Sequence, residues 1–377
     1  MKIDTSELRK LFPITQHSIY LNHAAISPLS IPTFAAIEAQ LKDVRDHGST
    51  HYQSWIAVKE SARTLLAELL GARPEQVAFM RNTSDALSTV ANGLKWQPGD
   101  NVVTFNREFP ANIYPWLRLR EGFGVEVRMC VEREGRVDLD ELENLVDEHT
   151  RLITISHVQY ASGFCANLER LARVARNRDA LLVVDVIQSL GVMPLDVQAQ
   201  MIDVAAGASH KWLLGPEGVG YLYLSDRARE RIEPTLVGWV SVADPEDYNN
   251  FDQEWRADTL PWETGTGPAA LIHGLEASLK LLGEIGVATI AKHLEELTDY
   301  LSERVLRKGY LLMSSRKPSE KSHIVCIRHR GEISATRLYG ALKSKSIITA
   351  PRGDRLRIAP HFYNNFEDID TFIDCLP

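Results

Sequence analysis

Between residues 77 and 225 the chain alternates short apolar runs with segments of helical periodicity, and this alternation constrains the fold more than any other feature. The runs are apolar at successive positions rather than at every second one, which is typical of strands buried on both faces. Strands of this kind separated by helices predict a largely parallel sheet covered on both sides, that is, an α/β domain. The clearest runs are "QVAFMRN", "NVVTFN", "GVEVRMCV", "RLITISHVQY" and "ALLVVDVIQS".

The pattern changes from about residue 267, where two long segments of helical spacing precede shorter strand and helix signals. The leucines of "PAALIHGLEASLKLLGEIG" recur at helical spacing, and Asn365 with Asp368 is typical of the cap of a last helix. We therefore predict a large α/β domain over residues 18–266 and a smaller C-terminal α+β domain over 267–377. The N-terminal residues 1–17 are expected to pack near the smaller domain.

Charge and composition exclude several classes of function. The net charge is -8 and there is no basic run, which argues against nucleic-acid binding. No segment approaches the roughly 18 apolar residues of a membrane span, and the N-terminus lacks the apolar core of a signal peptide. The cysteines are scattered singly, which indicates a reducing compartment. We expect a cytoplasmic protein that acts on a small molecule, without a nucleic-acid or membrane partner.

Lys211 stands out because its neighbours in "AAGASHKWLLGPEGVGYLYLS" are small or apolar. A lysine in such surroundings is expected to be partly buried, and burial lowers its pKa from a reference of about 10.4. A lysine with a lowered pKa is what Schiff-base chemistry requires.

Asp185 ends the apolar run "ALLVVDV". The carboxyl ends of parallel strands are where ligands bind in an open α/β sheet, although a helix cap or an ion pair would explain this acid equally well. An acid for a pyridinium nitrogen and a Schiff-base lysine are the two protein groups that pyridoxal phosphate chemistry needs. Asp185 and Lys211 together therefore favour a pyridoxal phosphate site.

Thr83 and Ser84 follow a strand that ends near Asn82 and begin a helix in "RNTSDALSTVANGL". Free N–H groups and two hydroxyls at a helix N-terminus suit a phosphate, while simple helix capping is the alternative. "GPEGVG" precedes a strand, so it is not a dinucleotide-binding motif, and the P-loop, GxSxG and HExxH patterns are absent.

The motifs "SHKWLLGPEGVGYLY", "VVDVIQS", "NTSDAL", "REFPANIYPW" and "WETGT" together resemble the class V aminotransferases, which are fold type I pyridoxal phosphate enzymes. The nearest branch is the group of cysteine desulfurases, selenocysteine lyases and isopenicillin N epimerase-like proteins. The resemblance runs from about residue 18 to the C-terminus. It implies a homodimer in which Thr266 of "WETGT" reaches the cofactor phosphate of the neighbouring subunit.

The resemblance also implies a role for each matching residue. Lys211 would form the Schiff base, Asp185 would pair with the pyridine nitrogen, Gln188 would lie near the ring hydroxyl and Phe109 would stack on the ring. The other implied contacts are Thr83, Ser84 and His210 to the phosphate, and Arg357, His23 and Tyr160 to the substrate, with the guanidinium of Arg357 on the substrate carboxylate. For two of these residues an alternative stays open: His23 could instead hydrogen-bond a loop, and Tyr160 could instead pack in the core.

The sequence departs from the desulfurase pattern at three places. Phe109 stands where desulfurases stack a histidine on the ring, so it cannot transfer a proton. The loop "SIITAPRGDRLRIAP" has no cysteine, which disfavours a persulfide-forming desulfurase. Ala208 replaces a serine that holds the phosphate, and Ser209 is a candidate substitute.

These residues predict an enzyme in which Lys211 removes the α-proton of an amino acid while Asp185 keeps the cofactor nitrogen protonated. Transamination, β-elimination and epimerisation share the same residues, so the sequence does not separate them. We favour an aminotransferase-type reaction, with a cysteine or selenocysteine C–S lyase or an amino-acid epimerase as the alternative. A non-catalytic pyridoxal phosphate-binding protein is the alternative of another class, and the presence of both Lys211 and Asp185 argues against it.

Overall fold

The computed structural model describes residues 3–377 of the chain. The helices are α1 (Thr5–Lys10), α2 (Ile31–His47), α3 (Tyr52–Leu70), α4 (Thr83–Gly93), α5 (Tyr114–Phe123), α6 (Leu139–Asn144), α7 (Leu168–Asn177), α8 (Asp226–Arg229), α9 (Ala269–Ile285), α10 (Val287–Arg307), α11 (Ala335–Lys343) and α12 (Phe366–Cys375). The strands are β1 (Ile19–Tyr20), β2 (Val77–Met80), β3 (Asn101–Phe105), β4 (Glu126–Cys130), β5 (Thr150–Ser156), β6 (Leu181–Asp185), β7 (Val204–Ala208), β8 (Gly220–Leu224), β9 (Leu311–Leu312), β10 (Val325–Arg328), β11 (Ile347–Ile348), β12 (Ala350–Arg352) and β13 (Arg355–Ile358).

The alternating segment forms one seven-stranded sheet with the order β2-β8-β7-β6-β5-β3-β4. Only β8 runs against its neighbours, so the sheet is mostly parallel. Leu182 and Val184 of β6 face one apolar core, whereas Leu181 and Val183 face another on the opposite side. The predicted α/β architecture, with a mostly parallel sheet buried on both faces, is confirmed.

A second sheet of four antiparallel strands, in the order β12-β13-β10-β9, lies in the C-terminal part of the chain. Its apolar residues pack with those of α10, α11 and α12 around a core of their own. Helix α9 does not belong to this core. Its Leu275, Leu279 and Leu282 join Leu66 and Leu70 of α3 in a core of the large sheet. Helix α9 therefore packs with the large sheet, and the domain division at residue 267 stays a prediction.

The N-terminal segment contacts the C-terminal part of the chain. Arg9 donates a hydrogen bond to Asp368 at 2.7 Å, and the Phe12 ring stacks on Tyr363 with 4.1 Å between ring centroids. Asn365 and Asp368 form the predicted capping box at the start of α12.

The segment "PANIYPWLRLREGF" differs from its predicted continuous helix. A 3-10 turn over Pro110–Asn112 precedes α5, which begins only at Tyr114 with Pro115 in its first turn. Proline lacks the N–H that a helix interior needs, so the second proline fixes the new helix start. Within the described residues no helix is long and apolar enough to cross a bilayer.

Candidate active site

Lys211 and Asp185 lie at the carboxyl edge of the large sheet. Asp185 is the last residue of β6 and Lys211 follows the end of β7, which pairs with β6. Both side chains are buried, with 1% of Asp185 and 7% of Lys211 exposed. The amine nitrogen of Lys211 lies 5.3 Å from the ring centroid of Phe109. The structure therefore brings together an acid, an amine and an aromatic ring at the edge where ligands bind in such sheets.

Burial shifts the pKa values of both titratable groups toward neutrality. It lowers the pKa of Lys211 to about 8, an effect that the charges of Arg357 and Arg352 reinforce and that of Asp185 opposes. Burial also raises the pKa of Asp185 to about 7, against a hydrogen bond of 2.9 Å from the Ile187 N–H and the charge of Lys211. A buried acid and amine with opposed shifts are typical of a catalytic site.

The N-terminus of α4 offers groups for a phosphate. The hydroxyl of Thr83 is buried and has no hydrogen-bond partner within the described residues, whereas Ser84 is exposed. The Asn82 side chain caps only the Asp85 N–H, and the first N–H groups of a helix have no partner inside it. Burial and the charge of Lys211 lower the pKa of His210 to about 4, so its ring is neutral. Ser209 donates its hydroxyl to the Pro216 carbonyl, so it does not replace the serine missing at 208.

Arg357 is a buried cation with no carboxylate partner among residues 3–377. Its guanidinium donates to the Tyr160 carbonyl at 2.9 Å and to the Asn22 side chain at 3.3 Å, and its Nε has no partner. Burial lowers the pKa of Arg357 to about 9. An unpaired buried guanidinium is costly, and a substrate carboxylate would satisfy it. The Tyr160 ring contacts Phe109 edge-on, with 5.2 Å between ring centroids, so Tyr160 lies on the same side of the site as Phe109.

Three predicted site residues have surroundings in the structure that differ from their predicted contacts. Gln188 uses its amide N–H toward the Ala24 carbonyl and its oxygen toward the Trp212 indole, which leaves one N–H for a ring hydroxyl. His23 is fully buried, and its ring nitrogens contact the Ala359 carbonyl and the Tyr363 hydroxyl. That arrangement matches the alternative in which His23 holds a loop, and it leaves no surface for a substrate. Thr266 is exposed and lines a surface cavity of about 670 Å³ whose lining residues do not include Lys211.

Glu108 is a site residue that the sequence did not single out. It is buried and accepts hydrogen bonds from Ser156, Gln159 and Asn112. Its charge raises the pKa of Asp185. Its place beside Phe109 in "REFPANIYPW" was the only available signal, because Ser156 and Gln159 lie far along the chain.

The cysteines do not supply an accessible nucleophile at this site. Cys326 lies opposite Arg357 in the small sheet, but it is fully buried and donates to the Ala161 carbonyl at 3.3 Å. Burial raises its pKa to about 11, so the thiolate is not available at neutral pH. The hairpin of β12 and β13 carries no cysteine.

These groups fit pyridoxal phosphate as a bound cofactor. The unpartnered hydroxyl of Thr83 suits its phosphate, the acid of Asp185 suits its ring nitrogen, the Phe109 ring suits its face and the amine of Lys211 suits its aldehyde. The unpartnered Nε of Arg357 suits the carboxylate of an amino acid beside it.

Comparison with known proteins gives consistent results along the whole chain. A probable cysteine desulfurase of Methanothermobacter thermautotrophicus is 35% identical to this chain, and the match covers 99% of this chain and 97% of the relative. YcbU, an uncharacterized aminotransferase of Bacillus subtilis, is 30% identical with 98% and 96% covered. The apo structure of a cysteine desulfurase from Thermococcus onnurineus NA1 superposes with a TM-score of 0.90 at 26% identity, covering 99% of this chain and 97% of that chain.

The fold of that structure confirms the predicted large mostly parallel sheet of fold type I. A family model described as aminotransferase class-V matches residues 19–372, which is nearly the full chain. The chain therefore belongs to the class V aminotransferase family.

Proposed function

We propose that this protein is a pyridoxal phosphate-dependent lyase that breaks the C–S bond of a cysteine-type amino acid. The observation that carries the proposal is the buried Lys211 amine beneath the Phe109 ring, with the buried acid of Asp185 at the end of the adjacent strand. The desulfurase names of the similar proteins support C–S cleavage. They support it better than the aminotransferase-type reaction that we favoured from the sequence.

When bound, the cofactor supplies a protonated ring that accepts negative charge from the α-carbon of the substrate. Asp185 would hold the ring nitrogen, and the burial of this acid makes the charge contact strong. Phe109 would cover one face of the ring. The α4 N-terminus with Thr83 and Ser84, assisted by His210, would hold the phosphate.

Lys211 would attach the cofactor and later take the proton from the α-carbon, because its lowered pKa keeps a neutral amine at hand near pH 8. Arg357 would hold the substrate carboxylate so that the α-proton faces this amine. The sulfur would then leave the β-carbon with the electron pair of the C–S bond and receive a proton. Addition of water would convert the remaining three-carbon fragment, which keeps the amino group, to pyruvate and ammonia.

The sulfur product is expected in solution rather than on the protein. A desulfurase that stores sulfur as a protein persulfide needs an accessible thiolate near the substrate. Cys326 is the cysteine opposite Arg357, and its burial and raised pKa exclude that role. The proposed reaction is therefore β-elimination with release of sulfide, persulfide or thiol.

Homodimer formation with Thr266 facing the neighbouring site is part of the proposal. Just before Thr266, the backbone of Thr264 packs tightly against Gly238, where an added Cβ would lie 1.7 Å from the Thr264 carbonyl oxygen. The segment that begins at Gly238 exposes large apolar side chains, including Trp239 at 43% and Phe251 at 95%. Exposed apolar surface of this kind marks an interface.

The free state of the cysteines supports the proposed cytoplasmic location.

The visible spectrum of the purified protein with pyridoxal phosphate tests the proposal. We expect an absorption band that disappears on borohydride reduction and is absent in Lys211→Ala, followed by release of pyruvate, ammonia and a sulfur product from a cysteine derivative. Conversion of the cofactor to its amine form, with a keto acid as product, would instead support the aminotransferase. A stable band that no amino acid changes would show a non-catalytic cofactor-binding protein.

A further inference from the structure

Two histidines and an aspartate come together where α2 ends and α3 begins, outside the proposed pyridoxal phosphate site. Asp43 and His47 lie one turn apart on α2, and His51 is the residue just before α3. Gly48 ends α2 with a φ of 59°, a left-handed conformation that glycine adopts without steric cost. The turn that follows returns the chain so that His51 lies beside Asp43.

The three side chains bring their ligand atoms together. Nδ1 of His47 lies 3.0 Å and Nδ1 of His51 lies 2.7 Å from the same oxygen, Oδ1 of Asp43. One ligand atom from each side chain lies within 4.8 Å of the other two. In a tetrahedral zinc site, metal–ligand distances of about 2.0–2.2 Å place neighbouring ligand atoms about 3.3 Å apart. Both nitrogen–oxygen distances would therefore need to open by only about 0.3–0.6 Å to admit a zinc ion.

The carboxylate of Asp43 is also held from α3. Its second oxygen, Oδ2, accepts a hydrogen bond of 2.8 Å from the indole N–H of Trp55, whose ring contacts Tyr52 edge-on. The hydrogen bonds from His51 and Trp55 lower the pKa of Asp43, so this carboxylate is ionised at neutral pH. Carboxylates that bind metals usually have such an outer hydrogen-bond partner, which fixes their orientation. One oxygen of Asp43 is thus anchored, while the other faces the two imidazole rings.

The charge of Asp43 is not used by a nearby basic side chain. Lys42 pairs with Glu38 at 3.2 Å and Arg45 pairs with Asp46 at 2.7 Å. Among residues 3–377, no lysine or arginine forms an ion pair with Asp43, whose charged contacts are the two histidines. Two imidazole nitrogens and one carboxylate oxygen are a ligand set that zinc and other divalent transition metals accept.

We propose that Asp43, His47 and His51 form a surface site for a divalent transition-metal ion of the zinc type. The ion would keep water at its remaining position, because both histidines are exposed. It would fasten the end of α2 to the start of α3, two helices that both pack on α9. The inference concerns stability rather than catalysis, so it does not depend on the proposed function.

Calorimetric titration of the metal-free holoenzyme with Zn²⁺ tests the site. We expect one high-affinity ion per chain, and His47→Asn, His51→Asn and Asp43→Asn should each weaken binding at least about tenfold. Trp55→Phe keeps an aromatic ring but removes the indole N–H, so it should weaken binding by about tenfold without removing a ligand. His17→Asn is the matched control, because His17 is exposed but belongs to no such group of ligands in the described structure.

A stability measurement complements the titration. Zinc should raise the unfolding temperature of the native protein and of His17→Asn, but not that of a variant with both His47→Asn and His51→Asn. The cofactor absorption band should be the same in all of these proteins. Zinc binding that the ligand variants leave unchanged would place the metal elsewhere and overturn the inference. Absence of bound zinc would overturn it as well, since the three side chains would then only hydrogen-bond one another.

Discussion

At the scale of single residues, the state of the Lys211 amine decides how the protein binds its cofactor. Only the neutral amine can attack an aldehyde, and burial lowers the pKa of Lys211 to about 8. Below this pH the amine is protonated, so the rate of covalent attachment of pyridoxal phosphate should rise with pH and level off above about 8. An exposed lysine would level off only above about 10.4. Rapid-mixing absorbance between pH 6 and 10 measures this profile, and a midpoint near 10 would contradict it.

The same profile identifies one cause of the lowered pKa. The charge of Arg357 contributes to it, so Arg357→Gln should move the midpoint of cofactor attachment to higher pH. An exposed arginine that is far from the site in the chain, such as Arg45, offers a control, since Arg45→Gln should leave the midpoint unchanged.

Thr83 provides a prediction that separates cofactor binding from stability. Its buried hydroxyl has no partner in the described structure, so Thr83→Val removes no protein hydrogen bond and keeps the shape of the side chain. We expect the stability of the cofactor-free protein to change by less than about 1 kcal/mol. The Kd for pyridoxal phosphate should rise about tenfold or more, because a hydrogen bond to a charged group is lost. Fluorescence titration measures the Kd, with Thr104→Val, another buried hydroxyl without a partner, as control.

At the scale of elements, a buried ion pair connects α3 with the segment that carries Thr266. Arg63 of α3 donates to Glu263 at 2.5 Å and to the Val77 carbonyl at 2.7 Å. The same carboxylate accepts from the Phe79 N–H at 2.8 Å and pairs with Lys59. Glu263 therefore ties α3 and β2 together and fixes the start of the exposed segment over residues 264–268.

Removing this carboxylate should cost stability. Glu263→Ala leaves the guanidinium of Arg63 buried without its main partner, and we expect the free energy of unfolding to fall by about 3–5 kcal/mol. Glu284→Ala, on the exposed side of α9, should change it by less than about 0.5 kcal/mol. Urea denaturation followed by circular dichroism compares the two variants. Equal midpoints would show that the ion pair does not stabilise this junction.

At the scale of the whole molecule, the sequence predicted those features that local patterns encode. Apolar runs identify buried strands, so the mostly parallel sheet and the positions of Asp185 and Lys211 at its edge were predictable. The direction of β8 and the strand order depend on pairing between distant segments. Helical spacing showed that one face of α9 is buried, but it could not show that α2 and α3 bury it.

The site residues follow the same division between local and distant information. Thr83 and Arg357 lie in recognisable motifs, whereas Glu108 gains its role from residues that are remote in the chain. His23 lies in a motif that suggested a substrate contact. Its ring turns instead toward Ala359 and Tyr363, a direction that no local pattern encodes.

The arrangement of two chains gives the last prediction. If Thr266 completes the site of its partner, a dimer of one Lys211→Ala subunit and one Thr266→Val subunit has one site with both defects and one site with none. If Thr266 acts within its own subunit, each site of that mixed dimer carries one defect. Co-expression with two affinity tags isolates the mixed dimer, and titration with pyridoxal phosphate counts the sites of native affinity. We expect one native site per dimer, because Thr266 is exposed and the cavity that it lines does not include Lys211 of its own chain. A mixed dimer without a native site, or a protein that stays monomeric, would contradict the shared site.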